Sequence, residues 1–233
     1  MEAVITGGSS GIGKAIAFKL AEAGYHLHLI ARDIDKLNNI AKEINFLYPG
    51  INSGCISADL CDEDDTNRAI QAINLKARKV NILVHAAADY DTGYLLDDRD
   101  NLLQKQIYSQ LFALHQLIKG LLSALTKYEG NMIFVIGSLA STQLRASAAH
   151  YSIAKAAQEN YCKLMADELR PLGVRLTLIA PGSVNTPSWD GENAPKEYFV
   201  QPNDVALAVQ NALQMNKETW MEKITLRPMR KDI

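Results

Sequence analysis

The chain is poor in cysteine and aromatics and has no excess of either charge. Its three cysteines, Cys55, Cys61 and Cys162, are odd in number and lack metal-type spacing. That argues against a disulfide framework or a metal site and fits a reducing cytosol. Twenty-four Lys and Arg stand against twenty-six Asp and Glu, a net charge of −2, so nothing marks a nucleic-acid or anionic-membrane partner. No apolar run is long enough to span a bilayer, and a strand pattern begins at Ala3, which leaves no room for a signal peptide. Internal repeats, low-complexity tracts and linkers are also missing. A cytoplasmic protein acting on a small molecule is the expectation.

The chain does have enough apolar residues, 48% of 233, for a substantial core, read as one domain over residues 1–233. Short β-branched runs recur at Ala3 to Thr6, His26 to Ile30, Asn52 to Ser57, Val80 to Ala86, Met132 to Ile136, Val174 to Ile179 and Lys223 to Leu226. Helical periodicity fills Ile12 to Ala23, Asp33 to Phe46, Glu63 to Ala77, Asn101 to Thr126, Tyr151 to Arg170 and Asn203 to Met215. Alternation of this kind predicts an α/β, doubly wound Rossmann fold: a seven-stranded, mostly parallel sheet with helices on both faces. Ligands of such sheets collect beyond the carboxyl ends of the strands, where the segments after Thr6, Ala86, Ile136 and Ile179 converge. The irregular stretch Pro181 to Pro202 reads as a mobile flap over that site.

Two clusters carry chemistry. Thr6-Gly7-Gly8-Ser9-Ser10-Gly11-Ile12-Gly13 lies between a strand and an amphipathic helix, where glycines let a pyrophosphate approach backbone N–H groups and the positive helix end. Arg32, at the end of the second strand, favours a 2′-phosphate and hence NADP(H), with NAD(H) possible; Asp33 is read as the cap of the next helix. Farther along, Tyr151 alone among nine tyrosines has a lysine, Lys155, four residues on. On a helix the two point the same way, so an ammonium can lower the phenol's pKa toward the physiological range. Ser138, after the strand Met132 to Ile136, supplies a hydroxyl. A phenol, an ammonium and a hydroxyl suit reduction of a carbonyl.

These motifs together resemble the short-chain dehydrogenase/reductase family from Ala3 to the C-terminus. The cradle is similar to its T-G-x-x-x-G-x-G, and Ser138, Tyr151 and Lys155 to its catalytic Ser and Y-x-x-x-K. The resemblance implies that Asp59 and Leu60 hold the adenine, and that Pro181, Gly182, Val184 and Thr186, in P-G-x-V-x-T, contact the nicotinamide. It also implies that Tyr151 exchanges the proton, that Ser138 positions the carbonyl, and that Lys155 holds the ribose and lowers the phenol pKa. Two departures stand out. Where the family carries N-N-A-G, this chain reads His85-Ala86-Ala87-Ala88, with Ala86, Ala87 and Ala88 expected beside the cofactor and His85 in a structural role. The family's helix-four Asn has no Asn counterpart in Tyr108-Ser109-Gln110-Leu111, so Ser109 or Gln110 is left to substitute.

The expected substrate is a small carbonyl compound or alcohol, as for a ketoacyl or carbonyl reductase, with Asp89, Tyr90, Leu139, Ala140, Gln143, Leu144, Trp189, Tyr198 and Phe199 as candidate pocket residues and Arg145 as a candidate for an anionic group. The family resemblance implies a homodimer or homotetramer through Asn101 to Thr126 and Tyr151 to Arg170. Competing readings are a non-catalytic nicotinamide sensor or scaffold and, among enzymes, a sepiapterin-reductase-like enzyme or an epimerase.

Overall fold

The computed structural model describes residues 1–77, 79–126 and 130–230; residues 78, 127–129 and 231–233 of the expected 1–233 domain lie outside them. Seven strands are present: β1 (Glu2–Thr6), β2 (His26–Ala31), β3 (Ser53–Ser57), β4 (Ile82–His85), β5 (Met132–Ile136), β6 (Arg175–Pro181) and β7 (Lys223–Leu226). They form one sheet in the order β3-β2-β1-β4-β5-β6-β7, and every pairing is parallel. The helices are α1 (Gly11–Glu22), α2 (Ile34–Leu47), α3 (Glu63–Lys76), α4 (Leu102–Ile107), α5 (Ala113–Leu125), α6 (Ala149–Leu169) and α7 (Pro202–Leu213). None of the described helices is long and apolar enough to cross a membrane.

The inner strands, β2, β1, β4, β5 and β6, are buried on both faces, which is why they read as near-continuous apolar runs. In β5, Met132, Phe134 and Ile136 join the core shared with α1, α2 and α7, while Ile133 and Val135 join the core shared with α3, α5 and α6. Side chains alternate across a strand, so one five-residue run feeds both layers. The strand order reverses between β1 and β4, opening a crevice at their carboxyl ends.

Two segments depart from the sequence reading. The expected helix Asn101 to Thr126 is α4 and α5 joined by a π-helical turn, Tyr108–Phe112. The stretch Pro181 to Pro202 is braced across its base: Val184 pairs with Val200, Asn185 N donates to Val200 O (2.9 Å) and Val200 N to Ser183 O (3.0 Å). It carries short 3-10 turns at Pro187–Trp189 and Lys196–Tyr198.

The turn from β1 into α1 is set by close backbone approach. Gly7 has φ +69°, and a Cβ there would lie 2.9 Å from Ala87 N; a Cβ on Gly13 would overlap the Gly7 carbonyl. Gly13→Ala is therefore expected to lower stability by about 1–3 kcal/mol, the usual cost of overpacking. Thermal or urea unfolding checks this; an unchanged transition would contradict the close packing.

Candidate active site

A cleft of about 790 Å³ opens at the carboxyl ends of the strands, and every cofactor and catalytic residue expected above lies on its wall. The glycine turn is held by Gly7 N and Gly8 N donating to Ile30 O (2.9 and 3.3 Å). No side chain caps α1 at Ser10, so the first N–H groups of that helix are left for an anion. These features fit a dinucleotide pyrophosphate. At the β2 end, Asp33 caps α2 by accepting from Lys36 N (2.9 Å), which holds its carboxyl below the usual range. Arg32 is exposed and pairs with Asp89 at 3.0 Å. Asp89 lines the cleft as expected, tied to Arg32. Asp59 accepts from Cys61 N (2.9 Å), and its own N–H donates to Asp65 Oδ2 (3.0 Å), fixing the turn after β3.

Thr6, at the end of β1, accepts from Ala86 N (3.1 Å) and Ala87 N (3.2 Å) through its Oγ1. That oxygen lies 3.2 Å from His85 Nδ1, while His85 Nε2 lies 3.1 Å from the Ser109 carbonyl. A carbonyl only accepts, so Nε2 carries the proton and Nδ1 accepts from the Thr6 hydroxyl. Burial, with the nearby Lys155 charge, lowers the imidazole pKa to about 3. His85 is a neutral brace between two strands and the π turn, as its structural reading implied.

Ser138 starts the 3-10 turn Leu139–Ser141, its Oγ accepting from Ala140 N at 3.1 Å. Burial pushes the Tyr151 phenol pKa up to about 12, against a smaller downward pull from the Ser138 side chain. The expected depression of Tyr151 by Lys155 is absent. Lys155 is itself buried, 2% exposed, and burial lowers its pKa to about 7. Its Nζ donates to Ile136 O (2.7 Å) and Gln158 Oε1 (3.0 Å) and stands 5.6 Å from the Tyr151 ring centroid. Desolvation therefore favours the neutral form of both side chains.

The π turn sets the two helix-four candidates apart. Ser109 lies on the cleft wall, whereas Gln110 is fully buried and off it, its Nε2 directed to Gln106 Oε1. The Gln110 carbonyl accepts from Gln158 Nε2 at 2.7 Å. Gln158, which the sequence reading passed over, links Lys155 to the π turn; a polar residue three after Lys155 on the same helix face was its only signal.

Aromatic rings close the other side. Tyr90 packs edge-on against Tyr151 (centroids 5.1 Å) and stacks with Trp189 (5.6 Å), which leans on Phe199 (5.0 Å). Leu139, Ala140, Gln143, Tyr90 and Trp189 line the cleft as expected. Leu144, Tyr198 and Phe199 do not: Leu144 is exposed, Tyr198 lies under the Arg230 guanidinium at 3.5 Å, and Phe199 is buried behind Trp189.

The family profile described as short chain dehydrogenase matches residues 2–197. An uncharacterised oxidoreductase of Staphylococcus epidermidis is 28% identical over 231 residues, covering 97% of this chain and 96% of the relative. Among solved structures, the alcohol dehydrogenase of the archaeon Thermococcus sibiricus, complexed with 5-hydroxy-NADP, superimposes with a TM-score of 0.89 at 28% identity, covering 98% of this chain and 96% of that one. A metagenomic short-chain oxidoreductase in complex with NADP has a TM-score of 0.85 at 27% identity, covering 99% and 98%. With its parallel sheet, glycine cradle and matched length, the chain belongs to the short chain dehydrogenase family.

Proposed function

We propose that this oxidoreductase interconverts a small carbonyl compound and a secondary alcohol with NADP(H), using Tyr151 as proton donor and acceptor. The observation that carries the reading is that Ser138, Tyr151 and Lys155 line the same cleft as the glycine cradle. The family's NADP-bound relatives and the guanidinium of Arg32 at the β2 end support the phosphorylated cofactor.

When bound, the dinucleotide supplies hydride chemistry at its nicotinamide. The uncapped N-terminus of α1 binds the pyrophosphate, Arg32 the 2′-phosphate, and the turn at Asp59 and Leu60 receives the adenine. Pro181, Gly182, Val184 and Thr186, with Ala86, Ala87 and Ala88, form the wall at the nicotinamide end. Ser138 donates to the substrate carbonyl and holds it beside Tyr151. Tyr151, with a pKa of about 12, is fully protonated at neutral pH and gives its hydroxyl proton to the carbonyl oxygen. In the reverse direction its oxygen takes the alcohol proton, and the Lys155 ammonium stabilises the phenolate. Tyr90 and Trp189 exclude water from that side. A non-catalytic sensor would have no use for the paired phenol and hydroxyl. We further place the protein in the cytosol as one domain, assembling as a homodimer or homotetramer through Asn101 to Thr126 and Tyr151 to Arg170, where Phe112 and Leu164 are exposed.

Tyr151→Phe is expected to cut kcat about 10²- to 10⁴-fold in NADPH oxidation assays with a panel of ketones and aldehydes, leaving the unfolding transition in place. Near-normal turnover would remove Tyr151 from the mechanism. Arg32→Ala is expected to raise the KM for NADPH about tenfold or more and to leave that for NADH unchanged, since only the former loses a charge-assisted hydrogen bond; equal effects on both would reject the 2′-phosphate contact. Lys155 also leaves a mark on stability. Its pKa is about 7 in the folded chain against an ordinary 10.5, so between these values the unfolded chain binds more protons and stability rises with pH. The difference in unfolding free energy between wild type and Lys155→Met, measured in urea without cofactor, should therefore grow in favour of the wild type from pH 7 to 10.5. A flat difference would mean that Lys155 is not desolvated.

A further inference from the structure

Most described arginine side chains are satisfied within the chain. Arg32, Arg68 and Arg170 pair with Asp89, Asp65 and Asp167, and Arg175 donates to the Asn216 and Thr219 carbonyls. Arg145, Arg227 and Arg230 differ: all three are exposed, among the described residues no oxygen accepts from their guanidiniums, and all three line the active-site cleft.

They reach it from separate elements. Arg145 lies in the loop before α6, its N–H donating to Ser152 Oγ (3.3 Å) one residue past Tyr151. Arg227 directly follows β7, whose Leu226 carbonyl accepts from Gly182 N (2.8 Å) beside the expected nicotinamide wall. Arg230 rests on the ring of Tyr198 at 3.5 Å, an arrangement that holds the guanidinium in place with its edge free. The acids on the cleft wall, Asp33, Asp59 and Asp89, belong to the turns after β2, β3 and β4, away from β7.

Sheet geometry separates these arginines from the one read as the cofactor's. From β2 to β7 is five strand intervals, which at about 4.8 Å each is about 24 Å, too far for Arg32 and Arg227 to hold one phosphate. We infer that Arg145, Arg227 and Arg230 form an anion-binding subsite at the substrate end of the cleft, and that the substrate is a carbonyl compound carrying a carboxylate or phosphate head, its apolar body against Tyr90 and Trp189. This rests on the proposed carbonyl chemistry at Tyr151. Guanidinium forks match the planar geometry of a carboxylate or phosphate, and three of them on one cleft wall with no protein acceptor leave their donors to a ligand that supplies the negative charge.

The test uses the full chain with and without NADP⁺ and follows the fluorescence of Trp189 on titration with phenylacetate, phenyl phosphate and the neutral phenylacetamide. An anion should bind about tenfold or more tightly than the amide, and the better of the two anions identifies the head group. Arg145→Ala and the double change Arg227→Ala with Arg230→Ala should each shrink that preference, while replacement of the same residues by Lys should restore part of it. Equal binding of anion and amide, binding of none of the three, or an equal loss of anion and amide in the Ala variants overturns the inference. Turnover of benzoylformate and acetoacetate against their methyl esters separates the two readings. Tyr151-dependent reduction without acid preference rejects the anion subsite alone. Arginine-dependent binding of phenylacetate with no turnover of any carbonyl rejects the reductase alone.

Discussion

Polar groups buried beneath the cleft floor satisfy one another in a continuous chain, and that chain fixes where the reactive side chains stand. It runs from Thr6 on β1 to His85 on β4, then to the Ser109 carbonyl in the π turn. The neighbouring Gln110 carbonyl passes it through Gln158 to Lys155, which ends it on the Ile136 carbonyl of β5. Three strands and two helical segments are tied together without a charge on the imidazole. An unpaired buried donor or acceptor costs about 1–3 kcal/mol, so each link constrains the next. The crevice between β1 and β4 is therefore held open by hydrogen bonding as well as by packing.

The same enclosure sets the electrostatics of Tyr151, the proposed proton donor. Tyr151 and Lys155 share a helix face, yet burial raises the phenol to about 12 and lowers the amine to about 7. Each is driven toward neutrality before any ligand arrives. A bound, charged ligand alters the surroundings of both, so their protonation is coupled to occupancy of the cleft. A tyrosine kept in its acid form suits the reductive direction.

Much of the fold was legible because a parallel sheet covered on both faces imposes a simple code. Met132 to Ile136 and Lys223 to Leu226 were bounded correctly as strands, since β-branched and apolar residues crowd between polar flanks. The site was legible where backbone geometry demands one residue type, as at Gly7 and Gly13. The π turn was not, because Leu111 to Leu114 continue an apolar pattern that a 3.6-residue period absorbs without a break. Gln158 escaped for a related reason: its two partners lie on its own helix and on a segment 48 residues away. The pKa ordering at Tyr151 and Lys155 escaped because it is set by desolvation, which depends on everything packed around the pair.

The brace between Val184 and Val200 has a bearing on how such a protein diversifies. Their backbone pairing closes the roof segment at its base, so the residues between them are topologically a surface loop anchored at both ends. The entropy of closing a loop grows slowly, about 0.6 kcal/mol for each doubling of its length. Insertions and deletions between these two valines therefore leave the sheet and the glycine cradle nearly untouched while rebuilding the ceiling that carries Trp189. New residues beside Trp189 are therefore admitted at little thermodynamic expense.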